Sequence, residues 1–165
     1  MTEDYDGTSS FLPLLLVVVE QTTGPILEMG CGFYSTPILH LLCKKQNRLL
    51  MTMENNWEWL KKFQWMDTSW HQFQYVDWKI IVNNIGDQHW NLLFLDQSPY
   101  SERGLCLQQL KNNADFIIAH DTQALCYEYD FSPFQSRYDY TRFPPQTTLV
   151  SMYHDVHTLF DLGGL

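Results

Sequence analysis

The stretch that decides the fold is "ILEMGCGFYSTP", residues 26 to 37, in which an apolar run holding an acid leads into two glycines one residue apart. A short run of continuous apolar residues predicts a buried strand, and the residues from Ser35 onward predict a helix. Glycine lacks a side chain, so Gly30 and Gly32 allow a sharp turn and the close approach of a ligand to the main chain. The first amide groups of the helix point into the same space. The segment therefore predicts a binding loop between a strand and a helix, with a purely structural turn as the alternative.

Alternating strand and helix patterns continue on both sides of this stretch. In the helix predicted after the glycines, apolar Ile38, Leu41 and Leu42 recur at helical spacing. Buried strands are predicted at 25–30, 48–54, 71–78, 90–96 and 114–121, and helices at 11–19, 35–45, 55–64 and 99–113. Continuous apolar strands separated by helices indicate a mostly parallel sheet that is covered on both faces.

The end of the chain predicts a different strand arrangement. Residues 137–143 and 146–153 read as strands, and the two prolines between them leave no room for a crossover helix, so we expect an antiparallel pair. The fold class is therefore a doubly wound α/β domain with a seven-stranded sheet and a C-terminal antiparallel hairpin. We expect one domain over 1–165, with an N-terminal helix region at 1–22, a Rossmann-like core at 23–153 and a tail at 154–165.

Composition excludes some classes of partner. The chain has 10 basic and 19 acidic residues, and a negative field repels the phosphates of nucleic acid. Its most apolar stretch, residues 11–19, is much shorter than the roughly 20 residues that span a bilayer, so we expect no membrane segment and no signal peptide. The four cysteines are widely spaced, which favours reduced thiols and a cytoplasmic protein.

The glycine loop differs from a dinucleotide-binding loop in two ways. The pattern G-x-G-x-x-G would place a third glycine where this chain has Ser35. An acid that can accept hydrogen bonds from ribose hydroxyls is present about 20 residues later, as Glu54 at the end of the second strand. Glu28, however, stands two residues before the glycines, and pyrophosphate binding does not call for a carboxylate there. A nicotinamide-linked enzyme is therefore disfavoured.

The pattern E-x-G-x-G with a distal acid resembles motif I of the class I S-adenosylmethionine-dependent methyltransferases, over residues 24 to about 151. The resemblance implies that Glu28 and the glycine loop face the methionine part of the cofactor, including its cationic amine. It also implies that Glu54 binds the ribose and that Asp77 and Trp78 lie beside the adenine. The implied cofactor residues are Glu28, Gly30, Cys31, Gly32, Ser35, Thr36, Glu54, Asn55, Asp77, Trp78 and Asp96.

A second group of ionisable residues follows two neighbouring strands. Asp96 ends one strand, and His120 and Asp121 end the next, so parallel packing would bring the three together. The pattern is similar to glucuronoxylan-type methyltransferases and to small bacterial enzymes with D-x-x-P-x-x-E-R followed by a strand ending in H-D. Its members in this chain are Asp96, Pro99, Glu102, Arg103, His120 and Asp121. The substrate residues in this interpretation are Arg103, which would orient an anion or else pair with a nearby acid, and Tyr100.

Two chemistries are open to Asp96, His120 and Asp121. His120 or a carboxylate can act as general base towards an acceptor hydroxyl. Alternatively, all three can hold a divalent metal ion, as in the catechol-type methyltransferases, although that family ends its strand with Asp-Asn. A structural alternative is that Asp121 caps a helix beginning near Thr122.

These patterns predict an O-methyltransferase that uses S-adenosylmethionine, releases S-adenosylhomocysteine and acts on a small molecule or a glycan. About 20 residues precede the motif and no inserted cap domain is evident, so the acceptor site is either open or completed by a second copy in a homodimer. The alternative is a non-catalytic S-adenosylmethionine-binding or interaction protein that keeps the fold.

Overall fold

The computed structural model describes residues 9–85, 87–123 and 128–160. The helices are α1 Leu12–Gln21, α2 Ser35–Gln46, α3 Trp57–Leu60, α4 Ile81–Ile85 and α5 Arg103–Leu110. The strands are β1 Ile26–Met29, β2 Leu50–Glu54, β3 His71–Tyr75, β4 Trp90–Leu95, β5 Ala114–His120, β6 Ser136–Tyr140 and β7 Thr147–Ser151. Short 3-10 helices lie at Gln64–Met66, Trp78–Ile80, Tyr100–Glu102 and Val156–Leu159.

The strands form one seven-stranded sheet in the order β3-β2-β1-β4-β5-β7-β6. Strands β1 to β5 run parallel, and β7 is antiparallel to both β5 and β6. The order reverses beside β1, which pairs with β2 on one side and with β4 on the other. Ligands of open α/β sheets bind at the carboxyl ends of strands next to such a reversal. The predicted doubly wound α/β fold with a closing antiparallel pair is confirmed.

Helices cover both faces of the sheet, so the strands are buried on both sides. Ile26 and Leu92 pack against α1 and α2, whereas the next residues along their strands, Leu27 and Leu93, pack against α4 and α5. This double burial explains why the strands read as continuous apolar runs. In the part of the chain that is described, no helix has the length and apolar character to cross a bilayer.

The helices differ from prediction more than the strands do. Helix α2 buries Leu39 and Cys43, while Leu41, which was predicted on its apolar face, is 64% exposed. The helix predicted at 55–64 is a single turn at Trp57–Leu60, capped by the Asn56 side chain, and the helix predicted at 99–113 begins as an α-helix only at Arg103. Helix α4 was not predicted. Packing against the sheet, rather than local periodicity, sets these helical faces and ends.

Candidate active site

A cleft of about 900 Å³ opens at the carboxyl ends of β1, β2, β4 and β5. Its wall consists of the loops that follow these strands, together with Phe11 before α1 and Pro145 before β7. The cleft therefore lies at the edge of the sheet where the order of the strands reverses. Both groups of predicted site residues contribute to it.

Gly30 and Gly32 in the loop after β1 are glycines for different reasons. Gly30 has a φ of +89°, and a Cβ atom there would lie 2.6 Å from Cα of Gln97 and 2.8 Å from the carbonyl oxygen of Asp96. The chain after β4 thus fills the space that a side chain at position 30 would need. A Cβ atom on Gly32 would lie 3.3 Å from Oγ of Ser35. A side chain at position 32 would therefore meet a movable side-chain atom rather than the main chain, and the approach of a ligand to Gly32 stays a prediction.

Glu54, the last residue of β2, presents a buried carboxylate to the cleft. It is 4% exposed and accepts main-chain hydrogen bonds from Cys31 at 3.2 Å, Asn55 at 3.0 Å and Asn56 at 2.9 Å. Burial raises the pKa of Glu54, and these amide hydrogen bonds oppose the rise. The carboxylate joins the glycine loop to the start of α3, and its position suits a ligand with hydroxyl donors.

Glu28 on β1 lies beneath the glycine loop and has no exposed surface. Its carboxylate accepts hydrogen bonds from Oγ1 of Thr52 at 2.7 Å and from Oγ1 of Thr36 at 3.0 Å. Thr36 in turn accepts the N–H of Gly32 at 2.9 Å. One hydroxyl group therefore separates the acid from the loop that lines the cleft. A contact between Glu28 and the amine of a ligand stays a prediction.

The eleven predicted cofactor residues divide into two sets. Gly30, Cys31, Gly32, Ser35, Glu54 and Asp96 line the cleft, whereas Glu28, Thr36, Asn55, Asp77 and Trp78 are not among the described residues that line it. Asp77 accepts the N–H of Lys79 at 3.0 Å and caps the 3-10 helix after β3. Trp78 is 1% exposed and donates its indole N–H to the carbonyl of Ser98 at 2.8 Å. Their contact with an adenine stays a prediction.

Arg103, the first residue of α5, joins the ends of β4 and β5. It is 6% exposed, and its terminal nitrogens lie 3.0 Å from Oδ1 of Asp96 and 2.8 Å from Oδ2 of Asp121. It also donates to the carbonyl groups of Asp96 at 3.1 Å and Gln97 at 2.7 Å. Pairing with nearby acids, one of the two predicted roles, is thus what the structure shows. Tyr100, the other predicted substrate residue, is half-exposed and is not among the described residues that line the cleft.

His120 ends β5 with both ring nitrogens in hydrogen bonds. Nδ1 lies 3.1 Å from Oδ1 of Asp96, and Nε2 lies 2.9 Å from Oγ of Ser10, which donates to the carbonyl of Pro145 at 2.7 Å. Which atom donates in each of these contacts depends on where the ring carries its protons. Both ring nitrogens thus have a protein partner, which leaves neither one free to bind a substrate hydroxyl.

Asp121 follows β5 and points into the same cleft. Its φ of +60° lies in the left-handed region, which aspartate and asparagine tolerate better than most residues. Oδ2 bonds Arg103, while Oδ1 lies 3.7 Å from Nδ1 of His120. A helix beginning near Thr122 would continue into residues 124–127, which lie outside the described residues.

The three ionisable groups can be tested as a metal site. One ligand atom each from Asp96, His120 and Asp121 lies within 4.8 Å of the others, and such groups suit divalent ions. The guanidinium of Arg103, however, is already 3.0 Å and 2.8 Å from the same two carboxylates. A metal ion would face this charge at short range. The residues fit their own guanidinium better than a metal ion, and the metal alternative stays a prediction.

Sequence patterns did not indicate several cleft residues. The Phe11 ring meets that of His120 edge-on at 5.0 Å, and Ser10 beside it bonds the same imidazole. Trp59 donates its indole N–H to the carbonyl of Cys31 at 2.6 Å, and Phe33 packs against it at 5.2 Å. A hydroxyl next to an apolar helix and aromatic rings after a glycine loop are common in cores, so the sequence offered no specific signal for them.

Comparisons with known proteins agree on the fold. No family model and no curated protein matches the chain. The SAH-bound methyltransferase PaMTH1 of Podospora anserina superimposes with a TM-score of 0.70 at 12% identity, covering 93% of this chain and 82% of that one. The O-methyltransferase of Bacillus cereus in complex with SAH gives a TM-score of 0.62 at 12% identity, covering 92% of this chain and 84% of that one.

Longer proteins also contain this fold. A structure of WbdD, which is described as a bifunctional kinase-methyltransferase, superimposes with a TM-score of 0.60 at 12% identity over 86% of this chain. The chain spans 39% of the length of WbdD. At such low identities the likeness shows the fold alone, which is a class I methyltransferase-like α/β fold with antiparallel C-terminal strands.

Proposed function

We propose that the protein is an S-adenosylmethionine-dependent methyltransferase that methylates an oxygen atom of a small molecule or a glycan. The observation that carries this proposal is that one cleft contains a glycine loop beside the carboxylate of Glu54 and, elsewhere on its wall, the carboxylates of Asp96 and Asp121 joined by Arg103. The SAH-bound methyltransferases that share the fold support it.

The cofactor part of the cleft fits the chemistry of S-adenosylmethionine. When bound, this cofactor supplies a methyl group activated by a positively charged sulfur. Glu54 would accept hydrogen bonds from the two ribose hydroxyls, and the bare main chain at Gly32 would lie against the methionine part. The negative charge of Glu28 beneath the loop favours a cationic amine above it.

The acceptor part of the cleft offers a carboxylate as general base. We assign this role to Asp121, because its carboxylate makes one close contact, with Arg103 at 2.8 Å, and lies 3.7 Å from His120, whereas the carboxylate of Asp96 contacts both Arg103 at 3.0 Å and His120 at 3.1 Å. Asp121 would take the proton of the acceptor hydroxyl as the methyl group leaves the sulfur of the cofactor and bonds to that oxygen. Arg103 holds Asp121 and Asp96 in place, and both ring nitrogens of His120 are already engaged by Asp96 and Ser10.

The walls of the cleft favour an uncharged acceptor with hydroxyl groups. Its acids are Glu54, Asp96 and Asp121, and its arginine already pairs with two of them, so an anionic acceptor would displace an existing ion pair. The exposed ring of Phe33 gives a flat apolar surface on which a sugar or an aryl ring can stack.

One observation favours a second candidate function. Ser10 and Phe11 cover His120, so the imidazole has only 3% exposed surface. A protein that binds the cofactor and methylates nothing would tolerate such a covered residue. The alternative is therefore a non-catalytic S-adenosylmethionine-binding protein with the same cleft.

Calorimetry with SAH, followed by a methyl-donor assay on a panel of sugars and phenols, tests both candidates. The cofactor variant is Glu54→Gln, and the matched control is Glu58→Gln, which removes an exposed acid on α3. Binding that Glu54→Gln weakens, together with turnover, supports the enzyme. Binding without turnover on any acceptor supports the non-catalytic alternative. An absence of SAH binding in the wild-type protein contradicts both candidate functions. Loss of turnover on addition of a chelator would support the alternative in which Asp96, His120 and Asp121 bind a metal ion.

A further inference from the structure

A line of hydrogen bonds connects the protein surface with Glu28 under the glycine loop. Nδ1 of His40 lies 2.9 Å from Nδ1 of His71, and Nε2 of His71 lies 2.9 Å from Oγ1 of Thr52. Thr52 then donates to Oε2 of Glu28 at 2.7 Å. His71, Thr52 and Glu28 lie on the neighbouring strands β3, β2 and β1 and have no exposed surface, whereas His40 on α2 is partly exposed. The line therefore runs from solvent into the core.

The direction of each hydrogen bond follows from what each group can donate. An ionised Glu28 only accepts, so the single hydroxyl proton of Thr52 points to it. Thr52 must then accept from Nε2–H of His71. A neutral His71 with its proton on Nε2 has a free lone pair on Nδ1, which accepts from Nδ1–H of His40. Every donor in the line points towards Glu28.

We propose that His71 and Thr52 are positioning residues that relay protons between His40 and Glu28, so that solvent sets the charge beneath the glycine loop without opening the core. A proton binds to Nε2 of His40, and the Nδ1 proton of His40 moves to Nδ1 of His71. The Nε2 proton of His71 moves to Thr52, whose own proton moves to Glu28. One proton thus enters at His40 and one proton reaches Glu28. All four side chains end neutral, and the direction of each hydrogen bond between them is reversed.

The surroundings of Glu28 raise its pKa into the neutral range. Burial raises the pKa of Glu28 to about 7, and hydrogen bonds from nearby hydroxyls oppose the rise. The groups that act on it are Ser35, Thr36 and Cys43 of α2, Cys31 of the glycine loop, Thr52 of β2 and Asp96 after β4. Burial also raises the pKa of Cys43, to about 11, so this thiol stays neutral when Glu28 titrates.

The two histidines pass a proton on and do not store it. Burial lowers the pKa of His71 to about 3, and the nearby His40 lowers it further. Burial also lowers the pKa of His40, as does the positive charge of Lys44 on the same helix. Neither imidazole is therefore a stable resting place for the extra proton near neutral pH, and Glu28 is the group in the line that holds it.

The titration of Glu28 has a consequence for ligand binding that rests on the proposed function. A cationic amine above the glycine loop favours ionised Glu28, so SAH binding below neutral pH should release a proton from this acid. The affinity for SAH should then weaken as the pH falls through about 7, by up to about tenfold per pH unit.

The relay itself is tested in the ligand-free protein. Infrared spectroscopy after a pH jump would follow the carbonyl band of protonated Glu28, which is identified by its loss in Glu28→Gln. In His71→Gln the amide can donate to Thr52 and accept from His40, so both hydrogen bonds survive, but an amide does not relay a proton. We expect protonation to slow by about tenfold or more, since the proton must then wait for local opening of the core.

The outcomes separate the relay from a structural role. Protonation of Glu28 at the wild-type rate in His71→Gln would overturn the proposal, as would the absence of a Glu28 band across neutral pH in the wild-type protein. If His71→Gln does not fold, His40→Gln makes the same test at a partly exposed position. His157→Gln, outside the line, should leave the rate unchanged. Calorimetry of SAH binding in buffers of different ionisation enthalpy counts the released protons. A failure of SAH to bind would contradict the proposed function but would leave the infrared test of the relay valid.

Discussion

Gly30→Ala should destabilise the fold more than any other glycine-to-alanine change in the binding loop. The φ of Gly30 is +89°, where an L-residue costs about 1–2 kcal/mol. The new Cβ would also lie 2.6 Å from Cα of Gln97 and 2.8 Å from the carbonyl oxygen of Asp96. These are main-chain atoms that cannot rotate away, and forced overpacking costs about 1–3 kcal/mol. The expected loss in the free energy of unfolding is therefore about 2–5 kcal/mol.

Gly32→Ala is the matched control, two residues along the same loop. Its Cβ would lie 3.3 Å from Oγ of Ser35, a side-chain atom that can move, and Gly32 has no positive φ. The expected loss of stability is below about 1 kcal/mol. The added methyl group enters the cleft, however, so SAH affinity should fall clearly. The two substitutions thus separate a glycine required by packing from a glycine required by the ligand.

Urea denaturation followed by tryptophan fluorescence measures the difference. Gly30→Ala should lower the midpoint at an unchanged slope, since the slope reports the surface exposed on unfolding. The reasoning is refuted if Gly30→Ala unfolds at the wild-type midpoint, or if Gly32→Ala costs as much stability as Gly30→Ala.

Three further predictions concern the acids and Arg103. Glu54→Gln should weaken SAH binding by about 10–100-fold in calorimetry, because a hydrogen bond to a charged group contributes about 1.5–3 kcal/mol. Arg103→Met leaves Asp96 and Asp121 without their buried partner and should lower the free energy of unfolding by about 3 kcal/mol in urea titrations. A loss under about 1 kcal/mol would contradict a stabilising role for the two ion pairs of Arg103. Glu28 has a pKa raised to about 7 from 4.5, so its stabilising effect is full below pH 4.5 and is lost as the pH rises through about 7. The stability of the wild type relative to Glu28→Gln should therefore fall by about 3 kcal/mol across that range, as measured by urea titration at each pH.

The sequence predicted the strands well because their environment is uniform. Residues such as Leu92 and Leu93 are buried on opposite faces of one sheet, so apolar character alone indicates the strand. A helix has one buried face, and its position depends on where the helix sits on the sheet. Helix α2 buries Leu39 and Cys43 rather than Leu41, and local periodicity could not decide between these faces.

The candidate site was predictable where chain order fixes position. Parallel strands end at one edge of the sheet, so Asp96, His120 and Asp121 were expected to come together there, and all three line the cleft. Contacts between distant segments were not predictable in the same way. Ser10 and His120 are 110 residues apart in the chain, and no spacing rule connects a hydroxyl before α1 with an imidazole at the end of β5.

The burial of Glu28 supports the proposal that this acid serves ligand binding rather than stability. Its carboxylate lies on the face of β1 that packs beneath the start of α2, where Thr36 and Thr52 satisfy it. A glutamine could bond the same hydroxyls without the cost of burying a charge, which for an acid with a pKa of about 7 is paid at neutral pH. We infer that the acid acts through its charge, since the loop above it carries the bare main chain of Gly32. In the proposed function, the charge of Glu28 and the main chain of Gly32 would both act on the bound ligand, with the hydroxyl of Thr36 between them.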